Sequence, residues 1–167
     1  MIDQQWSGAS TLSKFTWRIQ MNETGRKTAP ESAMIAGYYF TEAREALRQN
    51  SSSYNDDYVV TALWYLKNGL SAAVTAMDDM AGDKPNIWRW MMPSPGLRYM
   101  AVACQRLERA VADPDPMEML IAQHEIGAGH VLLDEMIRNE LRYKGITQAD
   151  FDELRERLCL PGGGGGR

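Results

Sequence analysis

The chain has 167 residues, 44% of them apolar and 24% charged, with a formal net charge of −4. That length suits one domain with its own core, and no apolar run approaches the roughly 18 residues of a membrane span. The acidic balance argues against a protein that coats nucleic acid over its whole surface, while leaving room for a local basic face. The opening "MIDQQWSGAS" has neither the basic nor the apolar region of a secretory signal. Cys104 and Cys159 follow no metal or redox spacing. A cytoplasmic protein with reduced thiols is therefore expected, with Cys104 in the core.

Residues 1–27 show no helical period and read as an irregular arm, in which "KFTWRIQM" alternates weakly enough for a short strand. Thr28, Pro30 and Glu31 then combine an N-cap, an early proline and a capping-box acid. Ile35, Tyr39, Ala43 and Leu47 carry the apolar stripe of the helix that follows, to about Asn50. After the polar "NSSSYNDD", Ser53 and Asp56 open a second helix with Val59, Leu63 and Leu66 inward. Asn68-Gly69 is then a stop signal, because both residues accept the left-handed step at a helix end. It predicts an elbow before another helix from Leu70 to about Met80, with Leu70, Val74 and Met77 inward.

"AGDKP" and "PSPG" bracket the short aromatic "NIWRWMM". The period resumes at Leu97, Met100, Cys104, Leu107 and Val111 and stops at "ADPDP". Asp115 as cap and Pro116 at the first position open the longest helix, roughly 117–143, with Met119, Ile126, Leu133, Met136 and Ile137 inward. Its "GAG" at 127–129 costs about 1 kcal/mol of propensity per glycine, which points to close approach by another element. Thr147 caps a last helix, and "PGGGGGR" reads as a disordered tail. The expected fold is all-α: one compact bundle of five to six helices over 28–160, an arm at 1–27 and a tail at 161–167.

Catalytic or metal chemistry finds little purchase. About 100° per residue puts His124 and His130 roughly 120° apart, unlike the paired ligands of a helical zinc site. His130 and Asp134 share a face, but two ligands do not hold a metal, so a small metal-dependent hydrolase built on them is a minor reading. Asp78 and Asp79 point apart on their helix and read as a solvated last turn. No Gly-rich phosphate loop is present, and no cofactor is expected.

The binding candidates are basic and aromatic. By the same 100° geometry Arg109 falls about 20° and Arg106 about 80° from Arg98, opposite the core stripe, so the three are expected on one exposed strip. Arg44 and Arg48 stack at i, i+4. Such strips are ordinarily solvent-facing, and otherwise suit phosphate or an acidic partner. Trp88, Arg89 and Trp90 either pin a loop onto the bundle or form a partner-binding platform.

The stretch "YFTEAREALRQNSSSYNDDYVVTALWYLKNGLSAAVTAMDD" resembles the small helical subunit of type III-B (Cmr) CRISPR effector complexes. The likeness lies in Tyr39, Arg44-Glu45-Ala46, Tyr54 and Lys67-Asn68-Gly69-Leu70, and farther on in "QHEIGAGHVLLDEMI", where Glu125 stands before small and apolar residues. The resemblance implies a non-catalytic subunit of an RNA-guided antiviral ribonucleoprotein, stacked with copies of itself and neighbouring subunits along guide and target RNA. Arg44, Arg48, Lys67, Arg98, Arg106 and Arg109 are the RNA-binding candidates by charge and position. The alternative is a phage or plasmid accessory protein, an assembly chaperone or an inhibitor of host defence, that binds another protein.

Overall fold

Capping chemistry written into the sequence starts the helices. In a computed structural model that describes residues 28–50, 56–81 and 94–160, five helices form and no strand appears among the described residues. They are α1 (Ala29–Asn50), α2 (Asp56–Ala81), α3 (Pro95–Ala112), α4 (Pro116–Tyr143) and α5 (Gln148–Arg157). The Thr28 N–H donates to Glu31 Oε2 at 3.3 Å, one half of the expected box. Ser94 accepts from the Leu97 N–H, Asp115 accepts from the Met117 N–H at 2.9 Å, and Thr147 and Asp150 form a complete capping box. Each satisfies a backbone N–H that the first helical turn leaves without a partner. The sequence-based expectations for 1–27, the tail, Ser53, Tyr54 and the Trp88-Arg89-Trp90 platform lie outside the described residues.

The first four helices run up, down, up, down. Ser32, Ile35 and Tyr39 of α1 share a groove with Asn68, Ala72 and Thr75 of α2, and Lys144, just past the end of α4, reaches Met80 near the end of α2, so α2 runs with α4. Gly96 of α3 meets Gly129 of α4 while Arg106 meets Glu125 and Glu118, in opposite chain order. Gly37, Arg44 and Asn50 of α1 meet His130, Gly127 and Met119 of α4. The core lies between the pairs, with Phe40, Tyr65, Leu66, Met100, Leu107, Ile126 and Leu133 among its fully buried side chains. Helix α5 closes the α1 end of the bundle: its Phe151 is buried under the Arg138 guanidinium, 4.8 Å from the ring centre, and Arg157 pairs with the buried Glu31. Lys144 donates to the Met80 carbonyl at 2.6 Å, satisfying an acceptor near the end of α2.

The expected elbow at Asn68-Gly69 is not there. Helix α2 runs unbroken through both residues, and its buried positions Ala62, Leu66, Gly69, Ala73, Ala76 and Met80 keep helical spacing across them. Asn68 spends its side chain inside the helix, Nδ2 donating to the Trp64 carbonyl at 2.8 Å. Gly69 faces α1, where a Cβ would lie 2.7 Å from the Phe40 ring. The glycine is a seat for an aromatic ring, not a turn. Two predicted inward positions also face out: Val74 in α2 and Val111 in the last turn of α3 are exposed. Cys104 is half-buried against the core rather than within it, and burial pushes its thiol up to about 11.

The "GAG" of α4 divides into two roles. At Gly129 an added Cβ would sit 3.0 Å from the Gly96 carbonyl oxygen, and at Gly96 one would sit 2.9 Å from the Gly129 oxygen, so α3 and α4 touch by backbone. Gly127 instead carries the Arg44 guanidinium, whose Cζ and Nε lie 3.2 Å from the position of a Cβ. The obstructing backbone at Gly129 and the buried Phe40 ring at Gly69 cannot readily yield, whereas an exposed arginine end can. Gly129→Ala and Gly69→Ala should therefore each lose about 1–3 kcal/mol to overpacking, only partly offset by ~1 kcal/mol of helix propensity. Gly127→Ala should be neutral or stabilising; urea unfolding followed by circular dichroism checks the order.

Candidate functional site

Four of the six nominated basic residues, Arg48, Lys67, Arg106 and Arg109, stand in ion pairs. Lys67 of α2 pairs with Glu108 of α3 at 2.7 Å, and Arg48 pairs with Glu45 one turn earlier at 2.6 Å. Arg106 turns sideways into the α3–α4 groove. Its Nε is 2.9 Å from Glu125 and its Nη1 is 3.0 Å from Glu118, and only 23% of its side chain is exposed. Arg109 reaches the same Glu118 at 3.6 Å. The expected strip of Arg98, Arg106 and Arg109 is thus divided: Arg98 and Arg109 are exposed, and Arg106 is an interhelical tie. Among the described residues no carboxylate pairs with Arg98 or Arg44, and both are exposed.

The Arg106 tie has a local cause. Glu118 and Glu125 lie seven residues apart, two turns along one edge of α4, and Arg106 is one turn short of Arg109 on α3. A planar guanidinium can serve two carboxylates from its separate N–H edges, which an ammonium cannot do with fixed geometry. Glu125, singled out in the sequence as part of a family-like stretch, is 14% exposed and acts here as one jaw of that clamp.

On the opposite edge of α4, His130 packs its ring on Phe40 with centroids 5.6 Å apart and faces Gly37. Burial is the main cause of a pKa below its ordinary value, reinforced by Arg44 and Arg138 and opposed by Asp134. Asp134 is itself bound to Arg138 at 2.8 Å. His124 is exposed on the outward face, as the angular separation of the two histidines predicts. No group of three His, Cys, Asp or Glu side chains is placed to hold a metal among the described residues. Asp78 and Asp79 are exposed in the last turn of α2.

A third polar group was not legible in the sequence. Tyr65 is 2% exposed, and its hydroxyl is buried beside the side chain of Tyr38. Burial is the main cause of a raised pKa at Tyr65 and pushes Tyr38 up to about 12, and Glu42 adds to both. Desolvation and the neighbouring Glu45 raise Glu42. The cluster is a structural core of aromatic rings, with Tyr39 edge-on to Trp64 at 5.8 Å. The groove between α1 and α2 encloses only about 160 Å³ and is lined by Ser32, Ile35, Tyr39, Asn68, Ser71, Ala72 and Thr75. That falls short of the few hundred Å³ of an ordinary small-molecule site.

The arrangement offers surface charge and apolar faces on rigid helices. No helix among the described residues is long and apolar enough to cross a membrane. No protein-family model, no curated protein and no solved structure matches the chain.

Arg106→Met should lower Tm by several degrees, because it leaves Glu125 without its cation, and Glu118 with only the longer Arg109 contact, in a partly buried groove. Adding Glu118→Gln and Glu125→Gln should recover part of that loss, and Arg109→Met should lose less; thermal unfolding of the four proteins checks it. His130 supplies a pH test. A histidine whose folded pKa lies below its unfolded value binds protons preferentially in the unfolded chain, so its effect on stability is absent above about pH 7 and grows as pH falls through 6.5. Glu42, with its raised pKa, acts in the opposite direction at lower pH. The urea midpoint should therefore fall from pH 7.5 to pH 5.5, and the drop should narrow in His130→Gln.

Proposed function

We propose that the chain is a non-catalytic helical subunit of an RNA-containing assembly, in the manner that its resemblance to the type III-B small subunit implies. The observation that supports this best is the pair Arg44 and Arg98. These exposed guanidiniums stand on rigid helices, and no carboxylate neutralises either one among the described residues. Arg48 and Arg109, on the same two helices, are exposed but paired with Glu45 and Glu118. Binding of this kind reads phosphates and duplex shape rather than base sequence. Arg106 and Lys67 contribute little to it, because their charge is answered by Glu118, Glu125 and Glu108.

A second reading, an accessory protein that binds another protein, is favoured by a different observation. Helix α4 carries large apolar side chains on its outward face, at Met117, Leu120 and Val131.

Fluorescence anisotropy with labelled double-stranded RNA separates the two. The RNA reading expects affinity that falls steeply with salt, and a salt slope smaller by about 1 for each phosphate that Arg44→Glu or Arg98→Glu no longer neutralises. A protein with no RNA affinity at low salt, or one whose affinity both substitutions leave unchanged, ends that reading.

A further inference from the structure

Arg44 is an exposed cation with a seat. No carboxylate answers it among the described residues, yet its end lies on α4. The three atoms nearest to a Cβ built at Gly127 are the Arg44 Cζ, Nε and Nη2, at 3.2, 3.2 and 3.4 Å. An edge-on approach would leave the central Cζ farther away than both nitrogens, so the guanidinium rests face-on over the glycine. The N–H donors of a guanidinium lie in its plane. A face-on seat therefore leaves those edges open.

Gly127 differs in this from its neighbour Gly129, where an added Cβ runs into the Gly96 carbonyl of α3. At Gly127 the first thing it meets is the Arg44 guanidinium. Glycine weakens a helix interior. Here the space it opens is taken by a charged group that no acid holds.

One turn farther along α4 stands His130, half-buried against Phe40 and Gly37 of α1. The charged groups acting on it are Arg44 from α1 and Asp134 and Arg138 from its own helix. Asp134 and Arg138 are bound to each other at 2.8 Å, and Arg138 also lies over the Phe151 ring of α5. Arg44 is the cation of this group left for a ligand. Together the four side chains carry one net positive charge while His130 is neutral, and two once it is protonated.

We infer that this corner of α1 and α4 is a binding site for a phosphate group, gripped by the seated Arg44 guanidinium and strengthened when His130 takes up a proton. A guanidinium edge offers parallel N–H donors to two oxygens of one phosphate. The choice of phosphate over carboxylate rests on the RNA reading above, in which Arg44 meets the backbone. The coupling is reciprocal: an anion on Arg44 cancels a charge that opposes protonation of His130, so each event favours the other. Backbone phosphate keeps its charge near neutrality, and its binding at Arg44 should tighten as pH falls from 7.5 to 6.

The chain has two histidines, and His124, exposed on the outward face of α4, serves as the internal control. Their titration in the full chain, followed by NMR of the imidazole protons, is compared in chloride, acetate and inorganic phosphate at one ionic strength, and with a short double-stranded RNA. Phosphate or RNA should raise the His130 midpoint by roughly a few tenths of a pH unit over chloride, and that of His124 far less. Arg44→Gln should abolish the rise. Gly127→Gln, which fills the seat with a side chain that helices accept, should remove most of it without lowering the urea midpoint. A rise with RNA but not with inorganic phosphate supports the site with the nucleic-acid backbone as its source. A rise with inorganic phosphate alone supports the site and counts against the RNA reading instead. No rise with either overturns the proposal. So does a rise equally large in acetate or at His124, or one that persists in full in either variant.

Discussion

Gly96 and Gly129 bring α3 and α4 to backbone contact, and the register of that contact sets the rest of the bundle. Neither helix can slide without driving a side chain into a carbonyl oxygen about 3 Å away. With the crossing pinned at 96 and 129, the antiparallel run carries Arg106 to the edge of α4 that holds Glu118 and Glu125. Met100 and Leu133 pack at that crossing, and Leu107 and Ile126 are buried with them in the core. A third glycine, Gly69, does the corresponding work in the other pair by admitting the Phe40 ring. Between the pairs the contact includes ring on ring, Phe40 against His130.

That register has an electrostatic consequence. Arg106 is answered by two carboxylates and Lys67 by one, so cations that would count toward a basic face are turned into ties between helices. Among the described residues, Arg44 and Arg98 keep exposed guanidiniums that no carboxylate answers. The apolar outward face of α4 is a separate resource, on the opposite side of that helix from its core stripe.

Much of the fold was legible in the residues. Thr28, Asp115-Pro116 and Thr147 mark helix starts because a cap is a local hydrogen bond between neighbours in the chain, whereas "PSPG" reads only as a break and Ser94 caps α3 within it. Ile35, Tyr39, Ala43 and Leu47 are all buried, as their spacing requires. The cost of glycine at 127–129 correctly pointed to close approach by another element. The candidate site was legible only in part. Helical angles place Arg98, Arg106 and Arg109 on one side of α3, but a long side chain departs from its wheel position when two carboxylates lie within reach. The outward apolar face of α4 was masked by its inward one, because an inward stripe alone satisfies the ordinary pattern of a packed helix.

Asn68-Gly69 shows where the division falls. By itself the sequence determined that helices flank the pair, that the protein is all-α and where most helices begin, since propensity, caps and period act over a few residues. Whether Gly69 ends a helix or seats a ring depends on Phe40, twenty-nine positions away. Only the tertiary structure decided that, together with the direction of Arg106 and the bareness of one face of α4. Each is set by what another helix brings to the same place, and a local pattern carries no such distance.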